Sequence, residues 1–237
     1  MSAMRVLLIN ANTTEAMTAE MLDGARRVAS HDTEILGVTA AHGVASIDGH
    51  HDELLGAVAV TEAIRANDGA YDAAVIACYG DPGLYAAREL AQVPVVGIAE
   101  ASFLTAMTLG HRFSVLTTLD RGVPPIEDNI ARYGLASRCA SVRATNMTVL
   151  EADADPIAAA DALEEAGARA ISRDGADVLC LGCGAMVGLR ERLETALGVP
   201  VVEGVPAAVA MVEGLVRCGL RTSKARAFKV PEPNVYR

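Results

Sequence analysis

The two halves of this chain repeat one another, and that constrains the fold more than any other feature. Tyr71–Leu84, YDAAVIACYGDPGL, lies over Ala176–Leu189, ADVLCLGCGAMVGL, 105 residues further on. Each copy is an Asp, a short apolar run, a Cys, a turn of small residues and a helix-forming stretch. Val93-Pro94-Val95-Val96-Gly97 then lies over Val199-Pro200-Val201-Val202-Glu203, and Arg5–Asn10 lies, less closely, over Arg112–Thr117. An order kept across three segments is the mark of a duplicated structural unit. Eight apolar runs read as strands: Arg5–Ile9, Thr33–Val38, Ala73–Ala77, Val95–Val96, Arg112–Leu116, Ser141–Ala144, Val178–Leu181 and Val201–Val202. They alternate with helical stretches, as in parallel sheets flanked by helices. The expected fold is therefore α/β, with two pseudo-symmetric lobes, each a mostly parallel sheet flanked by helices. Residues 1–97 with 206–237 are expected to form one lobe and residues 98–205 the other. Ligands of open parallel sheets bind beyond the carboxyl ends of the strands, which places the site in the cleft between the lobes.

Local signals punctuate the helices. Asp155-Pro156 supplies an N-cap and a first-turn proline, Gly175 a stop, and Pro82 the start of a helix through GLYAAREL. His50-His51-Asp52-Glu53 reads as a helix start with acidic residues in its first turn, since adjacent helical residues do not face one another as metal ligands would. Asn12, three residues before Glu15, could cap the first helix.

Composition narrows the function. Of 237 residues 51% are apolar, enough for a real core, and 3% are aromatic with no Trp, so Ala, Val, Leu and Ile must fill it. A net charge of −10, a pI near 5.0 and the lack of any Lys/Arg run argue against nucleic acid as a partner. The start, MSAMRVLLINANTT, has too short an apolar run for a signal or a membrane span, so a cytoplasmic protein without membrane contact is expected. Five cysteines, an odd number, do not suggest a disulfide framework. Cys180 and Cys183 are spaced as CxxC, but Cys180 falls within an apolar strand, where residues three apart point to opposite faces. A zinc site would need further ligands, and no second close Cys/His pair follows these two cysteines. Lys224 and Lys229 are the only lysines and sit at the end of the chain, so a Schiff-base lysine has no place. There is no P-loop, G-x-G-x-x-G or G-x-S-x-G motif. No cofactor or metal is expected.

The chemistry then falls on Cys78 and Cys183, which hold equivalent places in the repeat. A two-fold arrangement sets them on opposite walls of one cleft, each before an expected helix start whose dipole would favour a thiolate. Two thiols on either side of a carbon acid suit one reaction. One removes a proton from a stereocentre and the other returns a proton to the opposite face. Near-attack distances of roughly 3–3.5 Å on each side imply sulfurs about 7 Å apart. Asn10, Asn12, Thr13, Tyr79, Gly80, Thr117, Thr118, Gly184 and Ala185 supply the short polar groups and open backbone expected to hold a small-molecule substrate and its enolate. Glu100, Asp120 and Glu203 also lie near strand or turn ends. A non-enzymatic two-lobed binding protein, with both cysteines merely packed, is the reading from a different class.

These segments resemble the Asp/Glu/hydantoin racemase superfamily, and within it the hydantoin and allantoin racemase branch. The resemblance rests on INANTT near the N-terminus, SIDGHHDE at Ser46–Glu53, IACYGDPGL at Ile76–Leu84, VPVVGIAEAS after it, TTL at Thr117–Leu119, LGCGAM at Leu181–Met186 and GLRTSK at Gly219–Lys224. It implies two pseudo-symmetric lobes, cofactor-independent proton transfer by Cys78 and Cys183 at C5 of a hydantoin-type ring, and a homo-oligomer. The chain departs from the pattern in places. Ala11 stands where relatives commonly have Pro, and Tyr79 where Phe is common, adding a hydroxyl to the cleft wall. Tyr79-Gly80 and Gly184-Ala185 replace the Thr-Asn and Thr-Glu of amino-acid racemases, which disfavours a free Asp or Glu substrate. Two cysteines speak against an arylmalonate decarboxylase, whereas maleate isomerases keep both and stay an alternative.

Overall fold

The computed structural model describes residues 3–148, 151, 155–184, 186 and 188–232. The first half builds β1 (Met4–Asn10), α1 (Glu15–Val28), β2 (Thr33–Thr39), α2 (His50–Ala66), β3 (Ala73–Ile76), α3 (Leu84–Leu90), β4 (Val95–Gly97) and α4 (Ile98–Leu109). The second builds β5 (Phe113–Thr117), α5 (Val123–Arg132), β6 (Cys139–Ala144), α6 (Pro156–Arg169), β7 (Val178–Leu181), α7 (Arg190–Leu197), β8 (Val201–Glu203) and α8 (Gly204–Arg217). The strands form two four-stranded parallel sheets, ordered β2-β1-β3-β4 and β6-β5-β7-β8. The second order is the first with the strands renumbered, so the repeat seen in the sequence is a repeat of topology.

Every expected strand is present, with ends differing by a residue or two. The helix expected at Pro82 starts instead at Leu84, because Gly83 turns through a left-handed φ of 70° first. Asp155 does cap α6, its carboxylate accepting from the Ala158 N–H at 3.0 Å, and Gly175 follows the helical segment with a φ of 76°. Asn12 does not cap α1. The helix begins after Thr14, and the Asn12 side chain accepts from the Thr14 N–H at 2.9 Å and from Asn10.

Strand alternation sorts the core into layers. Val6 and Leu8 of β1 and Val75 of β3 face a central core shared with Val115, Val178 and Cys180 of the other sheet. Leu7, Ile9, Ala74 and Ile76 face outward against α2 and α3. Leu116, Leu179 and Leu181 likewise face outward, toward α6 and α7. Three of the scarce aromatics meet at the centre: Phe103 stacks on Phe113 at 5.2 Å and takes the edge of Tyr79 at 5.7 Å.

The helices that follow the last strands cross over. α4 packs on β5, β7 and β8, and α8 packs on α1, β3 and β4, so each half lends a helix to the other's sheet. α4 and α8 meet where Gly204 presents no side chain. A Cβ there would lie 2.9 Å from the Ile98 carbonyl oxygen and 3.0 Å from the Ile98 Cβ. The C-terminal segment lies on its own chain, with Thr222 donating to the Val93 carbonyl at 2.7 Å and Lys224 to the Arg88 carbonyl at 2.6 Å.

Two glycines of one helix are therefore expected to respond with opposite signs. Gly204→Ala wedges α4 from α8 and should cost about 1–3 kcal/mol. Gly214→Ala meets nothing within 4 Å and should stabilise by about 0.5–1 kcal/mol through helix propensity. Urea titration of both variants checks this; a neutral Gly204→Ala would show the crossing to be loose.

Candidate active site

Both cysteines stand just beyond central strands, Cys78 after β3 and Cys183 after β7. Each opens a four-residue turn closed by its own carbonyl, which accepts from Asp81 N–H at 2.9 Å in one copy and Met186 N–H at 3.3 Å in the other. The two turns line one cleft between the sheets, together with Asn12, Tyr79, Gly80, Thr117, Thr118, Gly182 and Gly184. Gly184 permits their approach, because a Cβ there would lie 3.0 Å from the Ala77 carbonyl oxygen and 2.9 Å from Met21 Sδ. The thiols are close enough for charge on Cys183 to act on Cys78.

Neither cysteine sits at a helix N-terminus, contrary to expectation. α3 and α7 begin at Leu84 and Arg190, beyond intervening turn residues. Desolvation instead pushes the Cys78 thiol up to about 12, opposed by a hydrogen bond from the Gly80 backbone and reinforced by the carboxylate of Glu53. At neutral pH Cys78 is therefore a thiol. Cys180 is raised to about 12 by the same burial, but it lies in the central core against the Ser102 carbonyl, as its strand position required.

The Cys78 turn is held from the other half of the chain. Asn129 of α5 donates to the Gly80 carbonyl at 2.7 Å, and Tyr133 donates to Asp81 at 2.7 Å. Asp81 also accepts from the Ala99 and Glu100 N–H groups at the start of α4, at 3.0 and 2.8 Å. It reaches them across Gly97, where a Cβ would lie 2.2 Å from its carboxylate. Burial raises Asp81 to about 7 against the pull of these donors. The turn after Cys183 is tied down in turn by Glu203, which accepts from the Gly188 N–H at 2.7 Å.

Several expected contact residues have other work. Asn10 is fully buried and bonds Asn12, Thr14 and Thr18, shaping the loop after β1. Thr13 bonds the Val44 carbonyl through both its N–H and its hydroxyl, clamping the segment after β2. The Tyr79 hydroxyl does not enter the cleft: it is buried against Ser102 Oγ at 2.5 Å, because its ring belongs to the aromatic core. Ala185 lies outside the described residues. Glu100 is paired with Arg88, and Asp120 is exposed. Sequence reasoning missed the cleft wall formed by Ser46–Gly49 and Glu53. The SIDGHHDE motif marked that segment, but only packing shows that it faces the cysteines.

A family model described as Asp/Glu/Hydantoin racemase matches residues 6–212. The chain belongs to that family. It is 43% identical over 234 residues to a hydantoin racemase of Pseudomonas sp. (strain NS671), covering 98% of this chain and 94% of that one. Its fold superposes with a TM-score of 0.96 on a crystal structure of allantoin racemase from Pseudomonas fluorescens, at 49% identity and 98% and 99% coverage. An allantoin racemase from Klebsiella pneumoniae gives 0.95 at 44% identity, covering 99% and 96%. The cleft described above thus sits on a racemase-family fold over essentially the whole chain.

A desolvated thiol has a plain pH signature. Iodoacetamide alkylation of Cys78, resolved by peptide mass spectrometry, is expected to speed up about tenfold per pH unit from pH 7 to 10, following the thiolate fraction. A plateau by pH 8 would mean that the native site stabilises the thiolate.

Proposed function

We propose that this protein is a cofactor-independent racemase that inverts C5 of 5-substituted hydantoins, allantoin among them, through the thiols of Cys78 and Cys183. The observation that carries this reading is the pairing of the two cysteines, each opening an equivalent turn beyond an equivalent strand, on one cleft. The names of its relatives, hydantoin racemase and allantoin racemase, support it.

The chemistry follows from the substrate class. C5 of a hydantoin lies between N1 and the C4 carbonyl, so removal of its proton spreads the electron pair onto the C4 oxygen as an enolate. In one direction Cys183 as thiolate takes the proton from one face while Cys78, neutral in its desolvated setting, delivers its own proton to the other. The C5–H bond breaks, a new C5–H bond forms on the opposite face, and the negative charge ends on Cys78. In the reverse direction the roles exchange. The turn backbones at Gly80 and Gly184 and the side chains of Asn12, Thr117 and Thr118 hold the ring and its developing charge, as preorganised dipoles do for oxyanions.

Circular dichroism of single enantiomers of allantoin and 5-benzylhydantoin, against enzyme-free controls, tests this directly. The wild-type protein should erase the signal, and Cys78→Ser and Cys183→Ser should each slow it by about 10²–10⁴-fold, the usual share of a positioned acid or base. In D2O the inverted product should carry deuterium at C5 while unreacted substrate stays largely protiated. Wild-type rates in either serine variant would overturn the two-thiol mechanism, and an inert wild type would overturn the assignment.

A further inference from the structure

The cleft is lined by two acidic side chains, Asp48 and Glu53, that the two-thiol chemistry does not use. Glu53, in the first turn of α2, lines the cleft beside Cys78 and Gly80. Its carboxylate lies close over Gly80, where a Cβ would fall 2.3 Å from Oε1. The neighbouring acids are committed elsewhere. Asp48 accepts from the Ser46 hydroxyl at 2.9 Å, and Asp52 accepts from the Asp48 N–H at 3.2 Å. Among the described residues, none donates a hydrogen bond to the Glu53 carboxylate, nor does a cation pair with it within 4.0 Å. A half-buried carboxylate with open acceptor positions is costly until a donor reaches it. A molecule entering the cleft with an N–H group can supply that donor.

A hydantoin ring carries N1–H next to the reacting carbon and N3–H between its two carbonyls, and allantoin adds ureido N–H groups. Resting on the racemase reading above, we infer that Glu53 is a specificity-determining residue whose carboxylate accepts a hydrogen bond from a substrate N–H, selecting ring amides and ureides over carbon acids without a donor. The cysteines supply the proton transfers; Glu53 decides which molecule is presented to them.

Burial holds Glu53 above the ordinary carboxylate range. His50 on its own helix and Arg132 on α5 pull it down, while Asp128 on α5 pushes it up, and Cys78 lies beside it. As pH falls and Glu53 takes up a proton it loses acceptor capacity, so KM for a hydantoin should rise on the acid side. That limb should be missing in Glu53→Gln.

The decisive experiment is a cycle of variant against ligand, read by titration calorimetry. Wild type and Glu53→Gln are each titrated with 5-benzylhydantoin and with its N1-methyl and N3-methyl derivatives. Methylating the nitrogen that faces Glu53 should weaken wild-type binding about tenfold or more, the usual worth of a hydrogen bond to a charged group. Glu53→Gln should weaken the parent compound by about the same factor and bind the methylated one almost equally well. A full N-methyl penalty surviving in Glu53→Gln, or no penalty at either nitrogen in wild type, would overturn the inference. Binding without racemisation by wild type would sink the racemase reading alone, leaving the cycle to judge Glu53, whereas no binding of any hydantoin would sink both. Matching thermal unfolding of Glu53→Gln and wild type shows that the variant is folded.

Discussion

The crossing of α4 and α8 is the contact on which the rest of the molecule depends. Each helix leaves the last strand of one sheet and packs on the other sheet, so the halves are exchanged rather than merely apposed. The exchange needs backbone-to-backbone approach at Ile98 and Gly204, and a second at Gly184 and Ala77, because a Cβ at either glycine would sit at about 3 Å from a carbonyl oxygen. Interiors are packed too tightly to absorb such an intrusion cheaply. These two absences of a side chain bring the ends of β3 and β7 together and set the width of the cleft.

Once the halves are joined, hydrogen bonds hold the two cysteine turns in place. The Cys78 turn belongs to the first half, yet Asn129 and Tyr133 of the second half bind it through Gly80 and Asp81. Asp81 couples the turn to the start of α4 as well, where the helix's open N–H groups and dipole favour a carboxylate. That favour is opposed by burial, which is why Asp81 rests near 7 rather than in the usual acidic range. The Cys183 turn is held by a different bond, from Gly188 to Glu203. Topology is duplicated across the pseudo-two-fold axis, but among the described residues the anchoring bonds differ.

Cys78 is desolvated and has Glu53 beside it, which disfavours its thiolate. Such a thiol is a poor nucleophile at rest and a ready proton donor to a carbanion, which suits proton transfer better than covalent attack. In the proposed chemistry Glu53 bears on both partners, adding to the burial that disfavours the Cys78 thiolate and offering an acceptor to the ring.

Much was legible in the chain itself. Strand periodicity placed all eight strands, because buried parallel strands are short apolar runs bounded by turn residues. The internal repeat pointed to duplicated sheets and singled out Cys78 and Cys183, since equivalent residues in a repeat take equivalent places in space. Strand alternation kept Cys180 apart from Cys183. What the chain could not disclose was orientation. Asn10, Tyr79 and Thr13 are polar residues at strand ends, as a binding site would need, but their side chains turn into the protein to meet Thr18, Ser102 and Val44. Glu53 looked like any acidic residue in a first helical turn, where such charge is favourable without further purpose. Only the packing of α2 against the Cys78 turn directs that carboxylate into the cleft. The sequence by itself determined the elements, their order and the pair of cysteines that share the cleft, because these follow from short-range pattern and repetition. Tertiary structure alone decided which polar groups face the cleft and how thiol and carboxylate ionise, because both depend on contacts between residues far apart in the chain.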